Sequence, residues 1–117
     1  DVLVEVNIGE EEAKSGVMPD DALGLLKEIR TFSNLNCLGL MTIPPMTDDT
    51  EKLRKYFRAV SNIREEANRT NIFEQPLSEL SMGMTNDFET AIEEGSTMVR
   101  VGRAIFGERM PYIPQHK

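Results

Sequence analysis

The pattern of apolar and polar positions predicts four strands that alternate with helices. The predicted strands cover residues 2–6, 38–43, 77–82 and 97–101. Each is a short apolar run, and two prolines end the second strand because proline cannot continue a strand ladder. Since a helical pattern follows every strand, the order of elements predicts a parallel sheet with right-handed crossovers, which is an α/β fold.

The first two helices are predicted from apolar positions that recur every three or four residues. The first helix follows Pro19, and its apolar face carries Leu23, Leu26 and Ile29. The second helix is the longest and covers residues 49–69. Its apolar positions fall on one face: Leu53, Tyr56, Phe57, Val60, Ile63 and Ala67. Both helices are therefore expected to pack one side against the sheet.

The third helix is predicted to begin at Asn86, with Glu89 completing a capping box. Three of its side chains are expected to face the interior: Phe88, Ala91 and Ile92. A short helical turn at 104–106 is predicted after the fourth strand. The sequence therefore predicts a domain over residues 1–109 and a flexible tail over residues 110–117, which contain two prolines.

Length and charge exclude several classes of protein. The 117 residues carry a formal net charge of −7, and they are too few for a complete TIM barrel, which needs about 250 residues. Binding to a nucleic-acid backbone is not expected, since it requires clustered Lys and Arg. No apolar run approaches the roughly 18 residues of a membrane span, and no signal-peptide pattern opens the chain. A small anion held by a local site is compatible with this charge.

The single cysteine, Cys37, points to a reducing compartment, because no disulfide can form within the chain. A cytoplasmic location is therefore predicted. Cys37 lies in an apolar stretch, which favours a buried structural thiol over a nucleophile. A nucleophilic cysteine needs a histidine partner, and the only histidine, His116, lies in the tail. No metal site is predicted.

Two junctions at the carboxyl ends of the strands have the composition of an anion site. Ligands of parallel α/β folds bind at this end of the sheet. The third strand leads into Ser81 and Gly83, and the fourth leads into Gly102 and Arg103. Glycines there leave backbone N–H groups accessible to a phosphate, and Ser81 adds a hydroxyl. The alternative is that both glycines merely allow tight turns between strand and helix.

Arg100 strengthens the case for an anion site. It alternates with valines in the fourth strand, and an arginine in such a strand is costly unless it has a partner. Its partner is either an interior acid such as Glu5 or a ligand whose phosphate lies at Gly102. The residues alone leave both possibilities open.

Four stretches of the chain resemble the pyridoxal phosphate homeostasis protein family, also called the YggS or PROSC family. They are residues 6–16, residues 39–43, residues 80–88 with the sequence LSMGMTNDF, and residues 95–109 with the sequence GSTMVRVGRAIFGER. The combination of Ser-Met-Gly-Met with Arg-Val-Gly and Ile-Phe-Gly is specific, whereas any one of these alone is weak. The similarity covers nearly all of residues 2–109.

This resemblance implies a fold-type III binding protein for pyridoxal 5′-phosphate, related to the N-terminal barrel of alanine racemases. It implies the C-terminal half of a (β/α)8 barrel, made of four βα units with parallel strands. The lysine that binds the cofactor covalently in the family would then lie upstream of Asp1, so no catalytic residue is expected here. Lys14 belongs to a loop, and Lys27, Lys52 and Lys55 are expected on the solvent side of helices.

The resemblance also assigns roles to the candidate residues. Ser81 resembles the serine that binds the phosphate, with Gly83 beside it, and Gly102 and Arg103 resemble the pair whose backbone N–H groups hold the phosphate. Arg103 departs from the family, which more often has threonine or serine there. Arg100 resembles the arginine that faces the pyridine nitrogen, and a guanidinium can only donate, so it would keep that nitrogen unprotonated.

The function implied is binding and homeostasis of pyridoxal 5′-phosphate without catalytic turnover. The alternative is a fragment of a racemase-like enzyme that uses the same cofactor, and a third possibility is a generic phosphate-binding domain. The expected partner is the small-molecule cofactor, with no nucleic acid and no membrane. A full-length family member is expected to be a monomer, whereas an isolated half barrel could self-associate through its unpaired strand edges.

Overall fold

The computed structural model describes residues 1–11, 15–84 and 87–100. Four parallel strands form one sheet in the order β1-β2-β3-β4, which confirms the parallel α/β prediction. The strands are β1 (Val2–Glu5), β2 (Cys37–Met41), β3 (Glu79–Met84) and β4 (Met98–Arg100). The helices are α1 (Ala22–Ile29), α2 (Thr50–Arg69) and α3 (Phe88–Glu93), and a 3₁₀ turn at Pro19–Asp21 precedes α1.

The buried core lies between the helices and one face of the sheet. Val4, Leu40 and Leu80 are register partners on β1, β2 and β3, and each is at most 6% exposed. They belong to one apolar cluster with helix residues that include Leu26, Phe57, Val60 and Ala91. The predicted apolar face of α2 is confirmed by this packing.

The opposite face of the sheet carries side chains that lie outside this core. Because strand residues alternate between faces, Glu5, Met41, Ser81 and Met98 share the other face, and the register pairs them in one row. Arg100 follows Met98 by two residues and is on the same face. We call the face formed by these five residues the open face. Of these five residues Met98 is exposed, Ser81 is buried, and the other three are half-buried.

Helix α2 begins where its sequence predicts. The Asp49 carboxylate caps the helix, because its Oδ1 accepts hydrogen bonds from the N–H groups of Glu51 and Lys52 at 3.1 and 3.2 Å. A cap of this kind satisfies backbone donors that have no partner within the helix. The cap therefore fixes the first turn of α2.

The predicted β3 is displaced by two residues from the one in the structure. Asn68 of α2 accepts a hydrogen bond from the Leu77 N–H at 2.7 Å and donates one to the Leu77 carbonyl at 3.0 Å. The Leu77 backbone is thus satisfied by a helix side chain, and the ladder begins only at Glu79. In the sequence, the apolar Leu77 is therefore indistinguishable from a first strand residue, although it lies before the strand.

Helix α3 differs from its prediction at both the cap and the buried face. It begins at Phe88 after Asp87, and Asn86, the predicted cap, lies outside the described residues. Ala91 is fully buried, but Ile92 is 52% exposed, so its predicted inward orientation is wrong. Consecutive helix residues are rotated by about 100°, and a helix this short presents only the Ala91 side to the sheet.

Cys37 is buried at 7% exposure, as predicted for a structural thiol. Burial raises the pKa of the Cys37 thiol above its ordinary value, and this effect outweighs that of a weak contact with the Gly39 carbonyl. A raised thiol pKa lowers the fraction of reactive thiolate at neutral pH. In the described part of the chain no helix is long and apolar enough to cross a membrane.

Candidate functional site

Ser81 and Arg100 meet on the open face, near the carboxyl ends of β3 and β4. The Nη1 of Arg100 donates a hydrogen bond of 2.7 Å to the Ser81 Oγ. Its Nη2 lies 3.5 Å from the backbone carbonyl oxygen of Thr42, at the end of β2. One guanidinium therefore connects the ends of three neighbouring strands. Gly102 and Arg103, the other predicted phosphate ligands, lie outside the described residues.

The bond between Arg100 and Ser81 fixes the direction of the serine hydroxyl. A guanidinium has donors and no acceptor, so the Ser81 Oγ must accept in this bond. The hydroxyl proton is then free to be donated to another group, and Arg100 has further N–H donors besides the two already engaged. The pair therefore presents donors and a positive charge. An anionic oxygen, such as one of a phosphate, fits this set.

The arginine partner proposed from sequence, Glu5, is not the one found. Within the described residues Arg100 forms no ion pair with Glu5, and its contacts are with Ser81 and Thr42. The Glu5 carboxylate accepts hydrogen bonds from the Ser15 hydroxyl at 3.1 and 3.2 Å instead. Glu5 lies three strands away from Arg100 in the sheet, beyond the reach of a direct contact. Among the described residues the positive charge of Arg100 therefore has no carboxylate partner.

Thr42 is a site residue that the sequence did not single out. It is fully buried, and its hydroxyl donates to the Val6 carbonyl at 2.6 Å. Its N–H donates to the Ser81 carbonyl at 3.1 Å. These bonds hold the ends of β1, β2 and β3 together and aim the Thr42 carbonyl at Arg100. The signal in the sequence was only its position near the end of the predicted second strand, two residues before Pro44.

Asn7 is a second residue that was not predicted as part of the site. It follows β1 at the same edge of the sheet and is 5% exposed. Its side chain donates to the Glu11 carbonyl at 2.6 Å and accepts from the Glu11 N–H at 3.1 Å. The Asn7 side chain thereby closes the start of the loop after β1 into a turn beside the candidate site.

Gly83 has a structural reason to be glycine. Its φ of +107° is a conformation that side chains rarely adopt, and a Cβ there would lie 2.8 Å from the Cβ of Ala91. Helix α3 therefore packs directly onto the backbone of β3 at this point. Contact of Gly83 with a phosphate stays a prediction.

The described end of β3 uses its backbone donor to close its own turn. The Met84 N–H donates to the Asp87 Oδ1 at 2.6 Å, and the Asp87 N–H donates to the Met84 carbonyl at 3.0 Å. The Met84 N–H is therefore engaged within this turn, whereas the predicted backbone donors at Gly102 and Arg103 lie outside the described residues. The side-chain donors of the described site are those of Ser81 and Arg100.

An ion-pair cluster fastens α3 to α2 behind the site. Glu94, at the end of α3, accepts a bidentate pair of hydrogen bonds from Arg58 at 3.1 and 3.2 Å. It accepts another from Arg54 at 3.0 Å. Arg54 also contacts Glu93 at 2.9 Å. Hydrogen bonds from Arg58 and Arg54 lower the pKa of Glu94 below its ordinary value. The cluster holds the helix that packs onto Gly83.

We expect Glu94→Gln to destabilise the fold at pH 7 and to change its acid sensitivity. Because the folded-state pKa is lowered, the contribution of Glu94 is present above the ordinary carboxyl pKa of 4.5 and is lost as the pH falls through the lowered value. The difference in unfolding free energy between wild type and variant should thus shrink at acid pH. Urea unfolding at several pH values measures it. The exposed Glu89→Gln on the same helix is the control, and a pH-independent difference would contradict the expectation.

The described lysines lie away from the site. Lys27 on α1 and both Lys52 and Lys55 on α2 are exposed, which confirms their predicted solvent positions. Lys14 falls outside the described residues. None of these three lysines is therefore part of the candidate site.

Comparison with known proteins identifies the family of the chain. Residues 1–110 match the family model described as "Alanine racemase, N-terminal domain". A relative from Aquifex aeolicus, named pyridoxal phosphate homeostasis protein, is 49% identical over 109 residues, which are 93% of this chain and 47% of the relative. The chain thus spans about half the length of the curated relatives it matches.

Solved structures show the same similarity. A protein from Bifidobacterium adolescentis described as unknown has a TM-score of 0.81 and 42% identity, covering 90% of this chain and 42% of that one. PipY of Synechococcus elongatus, solved with PLP bound, has a TM-score of 0.70 and 25% identity, covering 85% of this chain and 45% of PipY.

One expectation from the resemblance requires correction. The chain was expected to match only the C-terminal half of the family, and this is wrong in part. The matching family model is that of an N-terminal domain, and the matches include the N-terminal region of the relatives.

Proposed function

The chain belongs to the family of the alanine racemase N-terminal domain, and from that premise we propose that it binds pyridoxal 5′-phosphate. The observation that carries this proposal is the 2.7 Å bond between Arg100 and Ser81, which leaves the Ser81 hydroxyl proton and the remaining guanidinium donors for a ligand. A phosphate group matches such donors in charge and in hydrogen bonding. The names of the relatives and the PLP bound to PipY support this choice of ligand.

Each candidate residue has a role in this proposal. Ser81 donates its hydroxyl proton to a phosphate oxygen, and the backbone N–H groups of Gly102 and Arg103 complete the phosphate contacts. Arg100 orients Ser81 and turns its remaining donors to the pyridine nitrogen. When bound, the cofactor supplies an electron sink that is weak, because a nitrogen facing a guanidinium stays unprotonated. A weak electron sink suits storage and delivery of vitamin B6 better than turnover.

We further propose that the sheet is about half of an eight-stranded barrel in a protein about twice as long. The strand order 1-2-3-4 has no reversal, which is the order of a (β/α)8 barrel and not that of a doubly wound sheet. The open face would then line the barrel interior. We refer to this longer protein as the complete protein. We propose a cytoplasmic location because the 117 residues hold a single cysteine, and a monomer because a closed barrel has no unpaired strand edges.

Binding measured with the complete protein tests the proposed function. We expect pyridoxal 5′-phosphate to bind far more tightly than pyridoxal, which lacks the phosphate. Ser81→Ala should weaken binding of the phosphate ester by about tenfold, since a hydrogen bond to a charged group contributes about 1.5–3 kcal/mol. Equilibrium dialysis measures both affinities.

The control for this experiment is Ser33→Ala, which removes an exposed hydroxyl far from the open face. Equal affinity for pyridoxal and its phosphate would contradict the proposed phosphate site, and so would an unchanged affinity in Ser81→Ala. Racemisation of L-alanine by the complete protein would contradict the assignment as a binding protein.

A further inference from the structure

We propose that Met41 and Met98 form the surface on which the pyridine ring of the ligand packs, and that they make the site selective for aromatic phosphates. This inference rests on the proposed function, because it concerns the same ligand. The donors described above recognise any phosphate ester. Selectivity for one with a ring requires apolar side chains beside them.

The register of the sheet puts the two methionines on either side of Ser81. Met41 of β2 pairs with Ser81 of β3, and Ser81 pairs with Met98 of β4. Neighbouring strands lie about 5 Å apart, so each methionine begins one strand away from the serine hydroxyl. The three side chains therefore form a continuous row across the sheet.

The neighbours of the two methionines settle which face they occupy. Leu40 is fully buried in the core on the helix side, so Met41 points to the open face. Val99 contacts the region of Gly83 beneath α3, so Met98 also points to the open face. Arg100, two residues after Met98, reaches Ser81 on that same face.

Exposure separates these methionines from ordinary core residues. Met98 is 40% exposed and Met41 is half-buried, whereas Met82, on the helix side of β3, is fully buried. Neither Met41 nor Met98 belongs to the apolar core of the described residues. Both are thus available to contact a ligand held at Ser81.

The chemistry of methionine suits this contact. Its thioether is polarizable and adapts its shape, and a sulfur beside an aromatic ring contributes about 0.3–1.5 kcal/mol. Burial of the ring and side chain adds about 25 cal/mol for each Å² of apolar surface removed from water. A ring between Met41 and Met98 would gain both contributions, while inorganic phosphate would gain neither.

Two ligands separate this role from a purely structural one. In the complete protein we expect Met98→Ala and Met41→Ala each to lower the affinity for pyridoxal 5′-phosphate by about tenfold. Their affinity for inorganic phosphate, which lacks the ring, should stay within about twofold of wild type. Isothermal titration calorimetry with both ligands measures the ratio, and circular dichroism verifies the fold.

Additional variants keep the test decisive if an alanine variant unfolds. Met98→Gln keeps the length of an exposed side chain but removes its apolar character, so it should fold and lose affinity for the ring-bearing ligand only. Met98→Leu keeps the apolar volume and should retain most of the affinity. Met46→Ala, at a position that is 91% exposed in the loop after β2, is the control.

The possible failures point to different conclusions. If the unmodified protein binds pyridoxal 5′-phosphate tightly and the variants at Met41 and Met98 do the same, the methionine surface is overturned and the proposed function stands. An equal loss of affinity for both ligands overturns it as well, because it indicates a structural role. Absence of binding by the unmodified protein overturns both proposals together.

Discussion

Replacing Arg100 by alanine in the complete protein is expected to lower its affinity for pyridoxal 5′-phosphate by about 100-fold, or about 2.7 kcal/mol. The change removes the positive charge from the open face and the donor that holds the Ser81 Oγ at 2.7 Å. Hydrogen bonds that involve charged groups contribute about 1.5–3 kcal/mol each, so the loss of one ligand contact and of the serine orientation accounts for this value. Equilibrium dialysis measures it.

Arg100→Lys should restore only part of this affinity. Lysine keeps the charge, but its ammonium is a single point charge and cannot reproduce the planar fork that contacts Ser81 and Thr42 together. Arg30→Ala, at the exposed end of α1, is the matched control for the loss of one positive charge. If Arg30→Ala weakens binding as much as Arg100→Ala does, the effect is one of overall charge and the site assignment fails.

The double variant Arg100→Ala with Ser81→Ala separates a shared role from independent ones. The two side chains are bonded to each other, so their effects should not add, and the double variant should bind only slightly less tightly than Arg100→Ala alone. Fully additive losses would show that each residue contacts the ligand without orienting the other.

Helices with a strong apolar period were predictable because local sequence and packing agree there. Helix α2 was predicted within one residue at its start, since Asp49 provides a cap and its apolar positions all serve the same core. The start of β3 was not predicted correctly, because the Asn68 side chain takes the place of ladder hydrogen bonds at Leu77. A contact between a helix residue and a residue nine positions later, just before the strand, leaves no periodic signal.

The candidate site was predictable in its residue types but not in its connections. Ser81 and Arg100 stood out from their strands, yet their bond depends on the register between β3 and β4, which shifts between Ser81 and Met84. Thr42 was missed because its importance comes from its partners, the carbonyl of Val6 and the guanidinium of Arg100. Such partners are distant in sequence, so only the fold reveals them.

Gly39→Ala is expected to destabilise the protein by about 3 kcal/mol, the largest effect on stability that we expect from a single substitution. Gly39 lies in β2 opposite Glu79 of β3, and a Cβ at Gly39 would overlap the Glu79 backbone carbonyl. A flexible side chain could move aside, but this carbonyl belongs to the strand backbone. The two strands would have to separate, and the bonds that join Met41, Thr42 and Ser81 at the site would be strained with them.

Gly24→Ala provides the matched control for this change. Gly24 lies within α1, and a methyl group added there would meet no atom of the described residues within 4 Å. Alanine at this position should therefore stabilise the fold by about 0.5–1 kcal/mol through its better helix propensity. If Gly→Ala lowers the free energy of unfolding at position 39 and raises it at position 24, the loss at Gly39 comes from the close approach of β2 and β3. Urea unfolding measures both variants. A Gly39→Ala variant as stable as wild type would mean that the strands are farther apart than the structure places them, and the row from Met41 to Met98 would then lose its geometric basis.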